Sequence, residues 1–410
     1  MSAGGAGGGA GRRRRWSAWG VRAAYAGCVA VFVWAVAQFY QPATGFTSLI
    51  SIGDATDVRA VTALRQVPHY VYKDSAGYDG EYYVQLALDP TLRNPELATA
   101  IDNLPYRARR ILFCAVAWLG GLGQPAWIVQ SHALFNVVSW FLLAWVLLRW
   151  FPPTDWNNFL RWFGGMFSHG VCMSVRDSLV DGPSVLLIAV AMAAVESGSR
   201  SRATALVALA GLGKETNLLA LAGLANARWR ESRAWLRFAR TAVLAALPLL
   251  AWLAYVRWKA GPAGDAGLRN FALPLAGLGE KWGAALAGLA LRSDSTLRWT
   301  TVAVTFALTV QCLFFVLWRR PREAWWRVGA AFAVMMMFLA TPVWEGLPGA
   351  AARIVLPMTL AFNVLVPRGR WWLPLLIAGN LTVAVSYREF NPPPQEVPRV
   401  SSVRPFSFPE

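Results

Sequence analysis

The sequence predicts an all-α integral membrane protein: a bundle of about eleven transmembrane helices with a large external first loop that carries interfacial helices. Three observations predict it. Hydrophobic residues make up 56% of the 410, and only 15% are charged, against roughly 25% in soluble domains. Many apolar runs approach the ~20 residues that a helix needs to cross a bilayer. The short alternating strands of a closed barrel, the other fold able to span lipid, are not seen in the pattern. The net charge of +17 does not point to nucleic acid. The basic residues gather between apolar runs, where they set orientation and meet anionic membrane lipid.

Residues 1–18 read as a disordered basic cytoplasmic N-terminus, Gly/Ala-rich up to Gly11. Arg12 to Arg15 precede the first apolar run, 19–39, an uncleaved signal anchor with its N-terminus inside. Residues 40–126 form the external first loop. Within it Ile111–Leu119 is too short to cross, so it lies in the interface or re-enters.

Residues 127–387 hold the bundle, with spans at Trp127–Leu148, Phe159–Val175, Pro183–Val195, Ala203–Leu212, Leu218–Ala227, Thr241–Val256, Trp299–Trp318, Val328–Ala340, Ile354–Val366 and Trp372–Val385. Two basic loops fix the sidedness. Arg228, Arg230, Arg233, Arg237 and Arg240 form one, and Arg319, Arg320, Arg322 and Arg327 the other; both belong in the cytoplasm. Ala203–Ala227 must then be two short helices turning at Gly213-Lys214-Glu215-Thr216, since a single crossing would put the first basic loop outside. The external segment Gly261–Arg298 includes an amphipathic stretch, Phe271–Leu291, expected to rest on the interface. Residues 388–410 are a Pro-rich, irregular external tail. The four cysteines lie in apolar segments without metal-like spacing.

This topology brings the chemistry-bearing residues to one face. Eight of the 22 acidic residues fall between Asp54 and Asp102. Two of them stand in Tyr78-Asp79-Gly80-Glu81-Tyr82-Tyr83. Asp79 reads either as the N-cap of a helix running to Leu88, with Glu81 favouring its positive end, or as a general base with its pKa raised by an apolar wall. Glu81 is the candidate to assist it, orient the acceptor or bind a divalent cation, although no dedicated oxygen cage is evident.

Asp102-Asn103-Leu104-Pro105-Tyr106-Arg107-Ala108-Arg109-Arg110 places Arg107 and Arg110 three apart on the helix that Pro105 opens. They read as lipid anchors or as forked donors to a lipid-linked phosphate. Arg109 joins them as a candidate. Arg176-Asp177-Ser178-Leu179-Val180-Asp181 and Lys214-Glu215 interrupt apolar runs, where ionisable groups pair or function. Arg176 and Lys214 are candidate phosphate contacts, with Asp102, Asp177 and Asp181 in support and Glu215 orienting Lys214. His69, His132 and His169 are isolated. Glu345 and Arg353, in a late external loop, are candidates to line a substrate entrance.

The layout resembles the GT-C class of membrane glycosyltransferases, which includes protein mannosyltransferases and bacterial aminoarabinose transferases. Tyr78 to Tyr83 occupies the place of that class's acidic pair. Tyr106 to Arg110 resembles its basic interfacial element, Arg176 to Pro183 its second external turn, and Gly213 to Thr216 the turn that often carries Lys. More closely, Tyr-Asp-Gly-x-Tyr-Tyr with Tyr-Arg-x-x-Arg, Arg-Asp-x-x-x-Asp and Lys-Glu-Thr looks like a bacterial family associated with cell-surface glycopolymer formation. The likeness covers about Tyr78 to Leu221. The acidic pair here is split by Gly80, whereas many relatives have adjacent carboxylates.

The resemblance implies a polyprenyl-phosphate sugar donor, inversion at the anomeric carbon, and an envelope glycan or lipid as acceptor. It also implies a site facing the periplasm or exterior from the bacterial inner membrane. Two other classes remain open: a transporter or flippase for lipid-linked saccharides, and a non-catalytic scaffold for envelope assembly.

Overall fold

A computed structural model describes residues 7–225, 232–265, 267–290, 295–346 and 348–394. Arg228 and Arg230, the end of the amphipathic stretch at Leu291, and the tail from residue 395 lie outside the described residues. Among those described, all regular structure is helical, with three isolated bridges and no strand.

Among the described residues, four helical stretches are long and apolar enough to cross a membrane: Trp19–Ala37, Pro125–Leu147, Arg233–Ala260 and Trp299–Leu317. They do not sit alike. The best window of Trp299–Leu317 is 61% buried by the rest of the protein, that of Arg233–Ala260 only 17%. The latter exposes Leu236, Val243, Leu244, Leu247 and Leu250. Such a surface suits lipid rather than water.

The other helices of the bundle are shorter, among them Asp181–Glu196, Arg200–Gly213, Ala324–Met337 and Leu356–Leu365. Several sequence expectations change in detail. The first helix starts at Gly7, ahead of the expected Trp19; Arg12 to Arg15 favour the helix, whereas the four glycines among residues 7–11 do not. The run expected as one span at 159–175 is two helices, Trp156–Met166 and His169–Arg176, parted at the extended Ser168. The Lys214 turn does separate two pieces, but the second, Glu215–Leu224, is a 3-10 helix.

Two apolar cores hold the chain. The larger unites the bundle around Trp140, Trp162, Phe332 and Phe362. The smaller lies under the first loop, where Tyr83, Val84, Leu86 and Ala87 of the Gly80–Leu88 helix pack with Ile50, Leu64, Phe113 and Val129. The first loop is therefore a folded layer, seated on the Leu112–Gly120 and Pro125–Leu147 helices. That seat fixes Asp79 at the boundary between the two cores.

Candidate functional site

Asp79 stands just before the Gly80–Leu88 helix, but its side chain makes no capping hydrogen bond. It turns to two guanidiniums. Arg107 Nη1 donates to Oδ1 at 2.7 Å, and Arg353 Nη2 donates to Oδ2 at 2.6 Å. Gly80 explains the approach. A Cβ there would lie 2.1 Å from the carbonyl oxygen of Asp177 and 2.7 Å from that of Ile50. The glycine that splits the acidic pair thus lets the start of the helix press against the 176–181 turn.

Arg107 comes from the short Leu104–Arg107 helix, which Asn103 caps by accepting from Tyr106 N at 3.0 Å. Besides Asp79 it grips Asp102 with two donors, at 3.0 and 2.8 Å. Arg110 follows a turn later and is buried. It donates to the hydroxyls of Tyr83 at 2.8 Å and Tyr106 at 3.0 Å, and pairs with Glu215 at 3.3 Å.

The 176–181 turn is pinned from three sides. Asn136 Nδ2 donates to Leu179 O at 2.8 Å, Ser174 Oγ accepts from Gly182 N at 2.7 Å, and Ser178 Oγ donates to Leu49 O at 3.0 Å. Ser178 adopts a left-handed φ of 49°, a strained conformation for a non-glycine residue. So held, Asp181 accepts from Lys214 Nζ and, at 3.1 Å, from Arg353 Nη1. Asp177 turns the other way and accepts from Ser51 Oγ at 2.7 Å. Arg176 donates to Ser51 at 2.6 Å and Tyr72 at 2.9 Å, and lies 3.5 Å from Asp177.

Arg353 is the hub, joining Asp79 to Asp181. It sits on the short Ala351–Ile354 helix, against which the His169–Arg176 helix packs through Gly170; a Cβ there would meet Ala352 O at 2.5 Å. The result is one chain of ions, Lys214–Asp181–Arg353–Asp79–Arg107–Asp102, with the Arg110–Glu215 pair bridging hydroxyls beside it. Every cation in it has a carboxylate. Among the side-chain polar atoms of these ions, only Arg353 Nε is buried without a hydrogen-bond partner.

Of the residues singled out in the sequence, Asp79, Asp102, Arg107, Arg110, Asp181, Lys214 and Glu215 come together. Arg176 and Asp177 form an adjoining cluster on Ser51. Two assignments change partners: Lys214 is oriented by Asp181, and Glu215 serves Arg110. Glu81 faces away from the ions. Its carboxylate accepts from Gly53 N at 3.0 Å and Thr56 Oγ1 at 2.8 Å, holding the 53–57 segment. Asp79 and Glu81 therefore do not share a cation position, and among the described residues no group of three or more His, Cys, Asp or Glu is placed to hold a metal ion. Arg109 lies 5.7 Å over the Tyr106 ring and makes no ion pair among the described residues. Glu345 is exposed.

The electrostatics differ from expectation too. Burial by itself would raise the Asp79 carboxyl, but Arg353 and Arg107 outweigh it and hold the group well below the usual carboxylate range. The apolar wall expected to raise it is replaced by cations. Burial does push Glu81 up, against the pull of the Gly53 N–H and the Thr56 hydroxyl.

Sequence reasoning missed Arg353 as the hub, the hydroxyls of Tyr83, Tyr106 and Tyr72, and the buried contact of His169 Nδ1 with Glu389 at 3.3 Å. The run Ala351-Ala352-Arg353-Ile354 offers no local signal beyond a charge among apolar neighbours.

No protein-family model matches the chain, and no curated protein or solved structure shows significant similarity to it. The functional reading rests on the residues themselves and on the order of their motifs.

Proposed function

We propose that the chain is a multi-pass membrane glycosyltransferase of GT-C type. It would move a sugar from a polyprenyl-phosphate donor to a hydroxyl of an envelope glycan or lipid, on the external face of a bacterial inner membrane, within a bundle of about eleven crossings. One observation carries the reading: carboxylates and cations from five separated segments meet in one network, bounded by Asp102 and Lys214. A lipid-linked sugar stays in the bilayer, so its phosphate has to be met where cations stand at the membrane boundary.

In the proposed step the acceptor oxygen attacks the anomeric carbon from the face opposite the phosphate. The bond between that carbon and the phosphate oxygen breaks, and its electron pair leaves with the polyprenyl phosphate. The acceptor proton passes to Asp79. Phosphate is a good leaving group, so a single carboxylate base suffices where glycoside hydrolysis uses an acid as well.

Asp79 in its double clamp is a weak base. An incoming phosphate would draw Arg353 and Arg107 to itself, through the unspent Nε–H of Arg353 among other donors. With its cations turned away and its burial unchanged, the carboxyl pKa rises toward the value a base needs. Arg107, Arg110, Arg353 and Lys214 then balance the charge on the leaving phosphate.

The test is transfer by purified protein given a polyprenyl-phosphate sugar and an acceptor. Asp79→Asn should insert normally and lose transfer by at least a hundredfold, within the range of general base catalysis. Full activity in that variant removes Asp79 from the role. A protein that moves lipid-linked saccharide across vesicles without forming a glycosidic bond is a transporter instead.

A further inference from the structure

A second feature lies at the other end of the bundle. The Arg200–Gly213 helix begins at Arg200 and ends beside Lys214, so its two ends stand about 21 Å apart along the axis. Between its first half and the Ser232–Ala260 helix runs a groove of about 760 Å³, within the size range of small-molecule sites.

The lining is graded. On one wall Arg200, Ser201 and Thr204 give way to Ala208 and Leu209; on the other Arg237, Arg240 and Thr241 give way to Leu244 and Pro248. The two helices run in the same direction. Trp252, further along the second, donates to Ala108 O at the Lys214 end. The polar ends therefore coincide, and so do the apolar ends.

Arg200 spends one nitrogen on Leu224 O. Among the described residues none of Arg200, Arg237 and Arg240 has a carboxylate within ion-pair distance. Three guanidiniums at one end of an apolar trough, one wall of which is a helix with bare Leu and Val on its outer face, call for a ligand with an anionic head and a hydrocarbon tail.

We infer that this groove binds an anionic phospholipid of the adjoining leaflet. The phosphate lies among Arg200, Arg237 and Arg240, and an acyl chain runs along Ala208, Leu209, Leu244 and Pro248. The inference is independent of the proposed reaction, because a protein inactive in transfer still binds the lipid.

Native mass spectrometry of the full-length protein in detergent tests it, with phosphatidylglycerol, phosphatidylcholine of the same acyl chains, and glycerol phosphate as probes. Phosphatidylglycerol should bind as one retained molecule, much more tightly than the other two. Arg237→Gln with Arg240→Gln should weaken it about 25-fold, at about fivefold for each charge near the surface. Ala205→Trp, at an exposed lining position, should block the groove with every charge kept, and it carries the test alone if the double variant aggregates. Equal retention of the two phospholipids, equal binding of glycerol phosphate, or undiminished phosphatidylglycerol binding in Ala205→Trp overturns the inference.

Discussion

The two ends of the Arg200–Gly213 helix deal with charge in opposite ways. At the Lys214 end, cations and carboxylates from distant parts of the chain neutralise one another inside the protein. At the Arg200 end, Arg200 and Arg327 donate to carbonyls, Arg327 at Ala222 O and Gly223 O among others, while Arg237 and Arg240 are exposed and have no carboxylate within ion-pair distance among the described residues. An internal network is expensive to break, since removing one ion leaves a buried partner with less charge to balance it in a poor solvent. An outward cluster is cheap to break, because each ion already faces water or headgroups. The same residue type is thus structural at one end and a recruiter of outside anions at the other.

The largest expected effect breaks the network at its hub. Arg353→Ala takes one of two cations from both Asp79, which keeps Arg107, and Asp181, which keeps Lys214, and should cost about 2–4 kcal/mol of stability, twice the loss for one such carboxylate, read as a lowered unfolding temperature in detergent. Neutralising Asp79 as well (Asp79→Asn with Arg353→Ala) should recover part of the loss. A cycle with no such coupling would mean that the two ions act independently.

That hub marks the limit of what the sequence reveals. The acidic motif, the basic run at 107–110, the 176–181 turn and Lys214 were each legible, because an ion inside an apolar context is conspicuous. Partners were not legible. Asp79 and Arg353 are 274 residues apart, and only packing through Gly80 and Gly170 brings them together. Glu81 looked like half of a catalytic pair because helical spacing says nothing about which core a side chain enters. The helix count was the least legible part, since short helices buried in a bundle and membrane spans share the same apolar composition.

Glu389 sharpens the comparison as an acid near the network without an ion-paired guanidinium. Burial first, and the Asp177 carboxylate second, push it up to about 8. A raised acid is protonated in the folded state, so its contribution to stability is full below the unfolded value of about 4.3. It is lost as pH rises toward the folded value, at up to about 1.4 kcal/mol per pH unit. Asp79 runs the other way: its stabilisation is present above its unfolded value of about 3.9 and is lost as pH falls toward its lower folded value. Unfolding temperatures between pH 7 and 8, above the range in which an ordinary histidine titrates, should therefore decline more steeply in the wild type than in Glu389→Gln. An unchanged profile in that variant would assign the decline to another group.

Lys214→Met should cost less, about 1–2 kcal/mol. Its partner Asp181 keeps Arg353 at 3.1 Å, so one carboxylate loses one of its two cations and none is stranded. A loss as large as that of Arg353→Ala would show that Lys214, and not Arg353, neutralises Asp181.

The smallest effect lies at the other end of the helix. Arg237 is exposed and pairs with no carboxylate among the described residues, so Arg237→Gln should move stability by no more than about 0.5 kcal/mol in lipid-free detergent. The contrast with Arg353 is then about fourfold or more for the same kind of side chain. Phosphatidylglycerol changes the terms, because a ligand that binds only the folded state raises its unfolding temperature. The wild type should gain more from the lipid than Arg237→Gln does, and phosphatidylcholine should separate them little. A variant already destabilised without lipid would place Arg237 in the internal structure, and the two ends of the helix would no longer differ in kind.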